Sequence, residues 1–383
     1  MTSSLIELRH LLHAHAEVGL DLPETQAILL DALAGLGLDI RLGAGLSSVT
    51  AVLRGGRPGP VVLLRADMDA LPLVEETGLP FAADRPAMHA CGHDMHMAGL
   101  VGAARLLAEG RDELPGSIVF MFQPGEEGAG GARIMLDEGV LDAAGERPVA
   151  AYALHVDSKL AAGVRRTRPE SIMASSNLLN LRVHGAGGHA ALPHTGIDPV
   201  PVAAEIVLAI QSFVTRRVPA HDPAIVSVTR LQTNSQARNV MPSTVEIDVN
   251  VRTLSRETLV LVRDDLTTLL AAIGAAHGCT VESEFIEAYP VTYNDPAETE
   301  AVIALLGADR LPASGMASED FAYVLDQVPG TLLFVGACPP GVDPATGPAM
   351  HSAAVSFDDT VLDQMASIFR DLAVHRLKRG TVH

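Results

Sequence analysis

The 383-residue chain is poor in cysteine. Cys91, Cys279 and Cys338 are an odd number at wide spacings, so no disulfide framework is implied, and a reduced cytoplasmic protein is expected. Long apolar runs are missing too: no uninterrupted stretch reaches the roughly 18 to 20 residues that a membrane span needs. The N-terminus, MTSSLIELRHLLHAHAEVGL, carries charged and His residues at helical spacing. A signal peptide would have a basic start, an apolar middle and a small-residue cleavage site instead. Positive charge is scarce, with 27 Lys and Arg against 46 Asp and Glu, a net −19. That balance repels a nucleic-acid backbone or an anionic membrane, so neither is an expected partner. An anionic small molecule stays possible, because one local Arg or a metal overrides the global field. Lysine is almost absent (Lys159 and Lys378 alone), which reads as composition bias rather than function.

What is present is globular: 48% hydrophobic and 19% charged, over a length that suggests two or three domains. Short apolar runs alternate with helical patterns. Ser48 to Leu53, Val61 to Ala66, Ser117 to Phe122 and Ala150 to Leu154 read as strands. Leu5 to Ala16, Glu24 to Leu36 and Met95 to Ala108 read as helices, giving an α/β layer with a largely parallel sheet. From Asn177 the order becomes β-α-β-β-α-β: strand to His184, helix Pro199 to Arg216, strands Ala224 to Leu231 and Thr244 to Val251, helix Arg256 to Ala276, strand Thr280 to Glu287. Val245, Ile247, Val249 and Val251 alternate with polar residues, so one face packs on helices and the other suits a lid or dimer surface. After Tyr289 the first pattern resumes, with Leu332 to Val335 as a strand. The expectation is a discontinuous domain, 1–176 and 289–383, interrupted by a smaller one, 177–288.

The densest chemical cluster is Met88-His89-Ala90-Cys91-Gly92-His93-Asp94-Met95-His96. Cys and His suit a borderline-soft divalent metal, and Gly92 permits a tight turn between them. By itself the run also fits a His-rich turn with Asp94 as helix N-cap. Other strand ends favour the metal. Val61 to Ala66 runs into Asp67-Met68-Asp69, Ser117 to Phe122 into Gln123-Pro124-Gly125-Glu126-Glu127-Gly128, and Ala150 to Leu154 into His155-Val156-Asp157. Ligands of open α/β sheets bind at the carboxyl ends of the strands. Elsewhere, Gly187-Gly188-His189 ends a strand, Arg238-Asn239 offers a guanidinium and an amide, and His351 stands late in the chain. Ser318 reads as the cap of a short helix.

Together these segments resemble metallopeptidase family 20. The resemblance rests on Leu64 to Pro72, Met88 to His96, Phe122 to Gly128, Gly187 to His189 and Arg238 to Pro242, and extends from Arg9, His13 and Glu17 to His351. It is closest to the amidohydrolase branch, with its N-acyl-amino-acid amidohydrolases, hippurate hydrolases and auxin-conjugate hydrolases. It implies a zinc-peptidase-like catalytic domain with an inserted ferredoxin-like lid that often dimerises. It also implies two divalent metals per subunit, zinc or manganese with cobalt or nickel as substitutes. Cys91, His93, Glu127, His155 and His351 would be their ligands. By the same resemblance Glu126 is the general base for the attacking water, and Asp69 orients a ligand His. His189 would stabilise the oxyanion, in some members from a partner subunit, while Asn239 and Arg252 hold a substrate carboxylate.

The expected reaction is hydrolysis of an N-acyl amino acid by a homodimer or tetramer. A dipeptidase or an N-acetyl-diaminopimelate deacetylase is the near alternative. A catalytically silent binder is a more distant one, as is a thiol hydrolase pairing Cys91 with His93 or His96. Three departures stand out. Gly125 replaces a common Ala and is expected to matter little, Asp157 stands where Pro is usual, and Thr233 to Gln236 replace a Gly-richer run.

Overall fold

A computed structural model of the protein describes residues 4–379. In chain order it builds α1 (Leu5–Ala14), α2 (Pro23–Leu33), β1 (Asp39–Leu42), β2 (Val49–Arg54), β3 (Arg57–Asp67), α3 (His93–Glu109), β4 (Pro115–Gln123), β5 (Pro148–Ala161) and β6 (Arg165–Thr167). Next come β7 (Ser176–His184), α4 (Pro199–Arg217), β8 (Ala224–Thr233), β9 (Thr244–Thr253), α5 (Thr267–Ala276) and β10 (Thr280–Tyr289). The chain closes with β11 (Asp309–Arg310), β12 (Gly330–Cys338) and α6 (Leu362–Arg379). Contacts divide it into two compact units. One is Met1–Ile172, Tyr293–Ala313 and Asp320–His383; the other is Met173–Thr292 with Ser314–Glu319.

The first unit is a mixed sheet ordered β1-β2-β4-β3-β5-β12-β6-β11, whose central four strands are parallel. Val61 to Leu64 and Ile118 to Phe122 are continuous buried apolar runs, as strands covered on both faces must be. Helix α1 starts at a capping box in which Ser4 and Glu7 satisfy each other's backbone N–H groups. Helix α3 is buried along most of its length, and α6 packs against it.

Two differences from the sequence expectation bear on chemistry. Helix α3 begins at His93, not Met95. Gly92 is its N-cap, with φ 82°, and Asp94 lies inside the first turn rather than capping it. Strand β5 does not stop at Leu154. It continues to Ala161 because β12 follows it, Phe334 opposite His155 and Cys338 opposite Ala161. Pairing with β3 ends at Ala153, so β5 projects beyond its other neighbour at His155. The short helix near Ser318 is Ala322–Leu325, and it has no side-chain cap.

In the second unit the strand order is β8-β9-β7-β10, every pair antiparallel. Val245, Ile247, Val249 and Val251 of β9 are buried with Val202, Ile206 and Ile210 of α4, while alternate β9 residues are half-buried. The helix expected over 256–276 is interrupted by a π-turn at Val262–Leu266. Among the described residues α4 is long and apolar enough to cross a bilayer by length and composition, and its buried face forms this unit's core.

Candidate metal centre

Three loops and one strand meet at the carboxyl edge of the parallel strands in the first unit. Asp67 ends β3 opposite Gln123, which ends β4, so the segments 68–70 and 124–127 leave the sheet side by side. Asp69 then binds the second loop directly. Its Oδ1 accepts the Glu126 backbone N–H at 2.9 Å and its Oδ2 accepts that of Glu127 at 3.0 Å. Two adjacent glutamates are held in one defined geometry by a third carboxylate, through the backbone rather than their side chains. Gly125 makes the bend: its φ is 75°, and a Cβ there would lie 2.4 Å from Leu20 Cδ2. The left-handed φ favours glycine here, and a side chain would be strained.

The histidines present defined lone pairs. A carbonyl oxygen only accepts, so the 2.7 Å contact of His93 Nδ1 with Asp69 O puts a hydrogen on Nδ1. That leaves Nε2, which is buried and has no hydrogen-bond partner. His155 is arranged alike: Nδ1 donates to Val156 O at 2.8 Å, and Nε2 faces Cys91 Sγ at 3.6 Å. His351 Nε2 lies 3.3 Å from Cys91 Sγ and 3.3 Å from Glu127 Oε1. His351 sits at φ 67°, unusual for a non-glycine residue, and its N–H donates to Ala90 O at 2.9 Å. Glu127 Oε1 is buried as well, and the His351 ring is its neighbour at 3.3 Å.

Among the three-residue groups able to hold a metal ion, two share Cys91, namely Cys91–His93–His155 and Cys91–Glu127–His351, each within 4.8 Å; His93–Glu126–Glu127 overlaps both. Thiolate, imidazole and carboxylate together suit zinc, manganese or cobalt; one set holds the unpartnered His93 Nε2 and the other the buried Glu127 carboxylate, so the residues fit a pair of divalent ions. The sequence expectation assigned Asp69 to orienting a ligand His. Its carboxylate is 3.7 Å from His93 Nδ1, and the contact is made by its main-chain oxygen instead.

Sequence reasoning missed the layer beneath. Asp67 accepts from His96 Nδ1 at 2.6 Å and from Arg65 at 2.7 Å, and Arg65 also meets Asp320 and Gln123. The other His96 nitrogen, Nε2, accepts the Val156 N–H at 2.9 Å. His96 is therefore fully engaged, and burial depresses it to about 4 despite Asp67. Arg65 and Asp67 alternate with apolar neighbours in a strand buried on both faces, where charges must be paired. That was the available signal.

Electrostatics follow from the same contacts. Burial pushes the Cys91 thiol up, but His155, helped by His351 and His93, pulls it down to about 6. Hydrogen bonds to Cys91 and Glu127 raise His351 to about 10. Burial would lower His93, yet Asp67 and Asp69 carry it well above its ordinary value. Without metal, these shifts favour a proton on His93 and His351 and the thiolate of Cys91 near neutral pH. Cation and proton compete for the same Nε2 atoms, so loading both positions between pH 7 and 8 should release about two protons. Apparent affinity should then rise with pH until His351 deprotonates. Calorimetric titration in buffers of different ionisation enthalpy measures this; metal uptake without proton release would contradict the assignment of His93 and His351.

A substitution tests the Asp69 clamp. Asn offers one acceptor where two N–H groups need one each, and its NH₂ would face a donor. Asp69→Asn should destabilise the metal-free fold by about 1–3 kcal/mol, the range for a buried unsatisfied group. Denaturant unfolding measures it, and an unchanged midpoint would remove the clamp from the argument.

The second unit brings two expected residues together. Gly188–His189 pairs with Val240–Met241, and Ala190 N–H donates to Asn239 O at 3.0 Å. His189 Nδ1 accepts the Ala191 N–H at 3.0 Å, so neutral His189 carries its hydrogen on Nε2. Arg252 is not beside them. It lies at the far end of β9 from Thr244, roughly 25 Å along the strand, with Nη1 on Met316 O at 3.1 Å.

Comparison with known proteins agrees with this arrangement. The model of peptidase family M20/M25/M40 matches residues 63–375. Thermostable carboxypeptidase 1 of Saccharolobus solfataricus is 34% identical over 342 residues, 87% of this chain and 85% of its own. N-acetylcysteine deacetylase of Bacillus subtilis is 34% identical over 377 residues, 97% of this chain and 96% of its own. The crystal structure of the Bacillus subtilis YXEP protein, described as a dinuclear metal binding peptidase from the M20 family, has a TM-score of 0.84 at 31% identity and covers 98% of both chains. On the family match over most of its length, and on relatives that act on amide bonds, this chain is a hydrolase belonging to peptidase family M20/M25/M40.

Proposed function

We propose that the protein hydrolyses the amide bond of N-acyl amino acids, N-acetyl, N-benzoyl or similar, to a carboxylate and a free amino acid. The observation that carries this reading is Cys91 shared by two ligand sets, with Glu126 beside one of their members and in neither. A bound pair of divalent ions, zinc or manganese, would polarise the amide carbonyl and acidify water at that position. Glu126 then takes the proton of the attacking water and returns it to the leaving amine. Its backbone is fixed by Asp69, and its carboxylate belongs to neither Cys91-containing set. His189 donates through Nε2–H to the developing oxyanion, a contact worth about 2.7–4 kcal/mol in systems where one such donor was removed.

Asn239 and Arg252 hold the substrate's carboxylate in this reading. A small substrate cannot span one strand's length, so His189 with Asn239 and Arg252 converge only if two subunits each supply one part. We therefore propose a homodimer (or a tetramer built on it), joined through the second unit, in which segment 177–288 acts as a ferredoxin-like lid, in the cytoplasm. The carboxypeptidase relative favours a second reading, in which the acyl group is an amino acid and the substrate a dipeptide. An N-acetylated diamino acid such as N-acetyl-diaminopimelate belongs in the same test.

Free-amine release from N-acetyl and N-benzoyl amino acids, dipeptides and N-acetyl-diaminopimelate should be measured on protein reloaded with zinc or manganese. Metal-dependent release from the N-acyl set supports the first reading, and release confined to dipeptides supports the second. Stoichiometric metal binding without cleavage of any amide would leave a binding protein.

A further inference from the structure

We infer that Arg9 and His13 of α1 are positioning residues for His93, acting through Asp94. The inference rests on the metal-centre reading above. Arg9 and His13 stand one helical turn apart, both about 1% exposed. They grip the same atom: Arg9 Nε donates to Asp94 Oδ2 at 2.6 Å, and His13 Nδ1 lies 2.8 Å from it. Each also reaches a second segment. Arg9 Nη1 meets Asp359 Oδ1 at 3.1 Å, just before α6, and His13 Nε2 meets Glu75 Oε2 at 3.0 Å in the loop before the cysteine motif. Phe81 closes the hub, stacked on His10 at 3.6 Å with the Arg9 guanidinium 4.9 Å from its centroid.

The location of Asp94 turns this hub from a fold feature into a positioning device. Asp94 follows His93 directly within the first turn of α3, and neighbouring side chains on a helix diverge by about 100°. Fixing the direction of one fixes the direction of the other. No side chain caps this helix, since its N-cap is Gly92, so its first turn has no cap to anchor it. Asp94 supplies that anchor. The exit from α1 steadies the other support of His93: Glu17 O accepts the Ala70 N–H at 2.7 Å, next to Asp69, whose carbonyl holds His93 Nδ1. A buried ion pair is a weak source of stability compared with apolar packing. Its directional bonds are better suited to setting an angle, which a ligand needs more than a core does.

The test is titration of metal-free protein with Co²⁺, following ions bound per chain and the thiolate-to-cobalt absorption band, with melting temperature as control. Wild type should take up two ions. In Arg9→Met and Asp94→Asn, one should bind as in wild type and the other, served by Cys91, His93 and His155, at least about ten-fold more weakly, as for altered outer partners of ligands. Arg9→Lys should recover part of that loss. Glu298→Gln supplies the comparison, because it breaks a separate buried network with Tyr152 and Arg376 that touches no proposed ligand. It should lower the melting temperature and leave both ions unaffected. Wild-type affinity for both ions in the Arg9 and Asp94 variants overturns the inference. So does an equal weakening in Glu298→Gln, which would indicate general loosening. Should Arg9→Met fail to fold, Arg9→Lys and Asp94→Asn decide the matter. A wild type that binds no Co²⁺ overturns the metal-centre reading itself, and this inference with it.

Discussion

Glu126→Gln should retain two metal ions per chain and lose about 10²- to 10⁴-fold in kcat, the range for removing a positioned general base. The substitution keeps size and shape, and it leaves untouched the backbone N–H that Asp69 accepts. It removes only the ability to take a proton. Because neither Cys91-containing set includes Glu126, metal content measured by elemental analysis should not fall. KM should move little, since the substrate's carboxylate is held elsewhere. If metal is lost with activity, Glu126 is a ligand and the proton acceptor must be sought among its neighbours. Activity within ten-fold of wild type would remove it from the chemistry altogether.

Cys91→Ala should be the most damaging single change to metal content, because one side chain serves both ligand sets. Its effect should exceed the 10- to 100-fold typical of residues that only support a ligand, and it should weaken both ions. His351→Ala, a member of one Cys91 set, should weaken one. Comparing the two titrations separates a shared ligand from two independent sites. The variant has a second signature. His351 is raised chiefly by its hydrogen bond to Cys91, so in Cys91→Ala its titration, followed by NMR, should move down from about 10. A Cys91→Ala protein that still binds one ion normally would show that the thiolate serves only one position.

Much of this centre can be read from the chain. Parallel strands announce themselves as unbroken apolar runs, and the carboxylates and histidines that follow each run fall at one sheet edge because parallel strands end together. What could not be read depends on partners remote in sequence. Arg65 finds Asp320 across 255 residues, and Arg9 finds Asp94 across 85. No local pattern encodes either pairing. The start of α3 was misplaced because Gly92, a poor helix residue, occupies the cap in a left-handed conformation, which moves His93 into the first turn. Strand β5 was cut short because His155 and Asp157 look like a strand end, while the ladder to β12 outweighs their polarity. The Asp69 clamp on Glu126 and Glu127 eluded sequence reasoning for a related cause: its partners are backbone N–H groups, which leave no trace in residue identity.

The order of ligands along the chain has a consequence for synthesis. Cys91, His93, Glu127 and His155 all precede β7–β10, while His351 follows them, as do β12, the parallel neighbour of β5, and α6, which packs on α3. A ribosome adding about 5–20 residues per second needs roughly 10–40 s to pass from His155 to His351. Throughout that interval the nascent protein holds one complete ligand set and one that lacks its last member. Its central sheet still has an unpaired edge at β5, and one side of α3 is uncovered. The second unit can finish folding before the first can close. In the proposed paired centre, acquisition of a second metal would thereby be tied to completion of the polypeptide, and a chain released early would lack the last ligand.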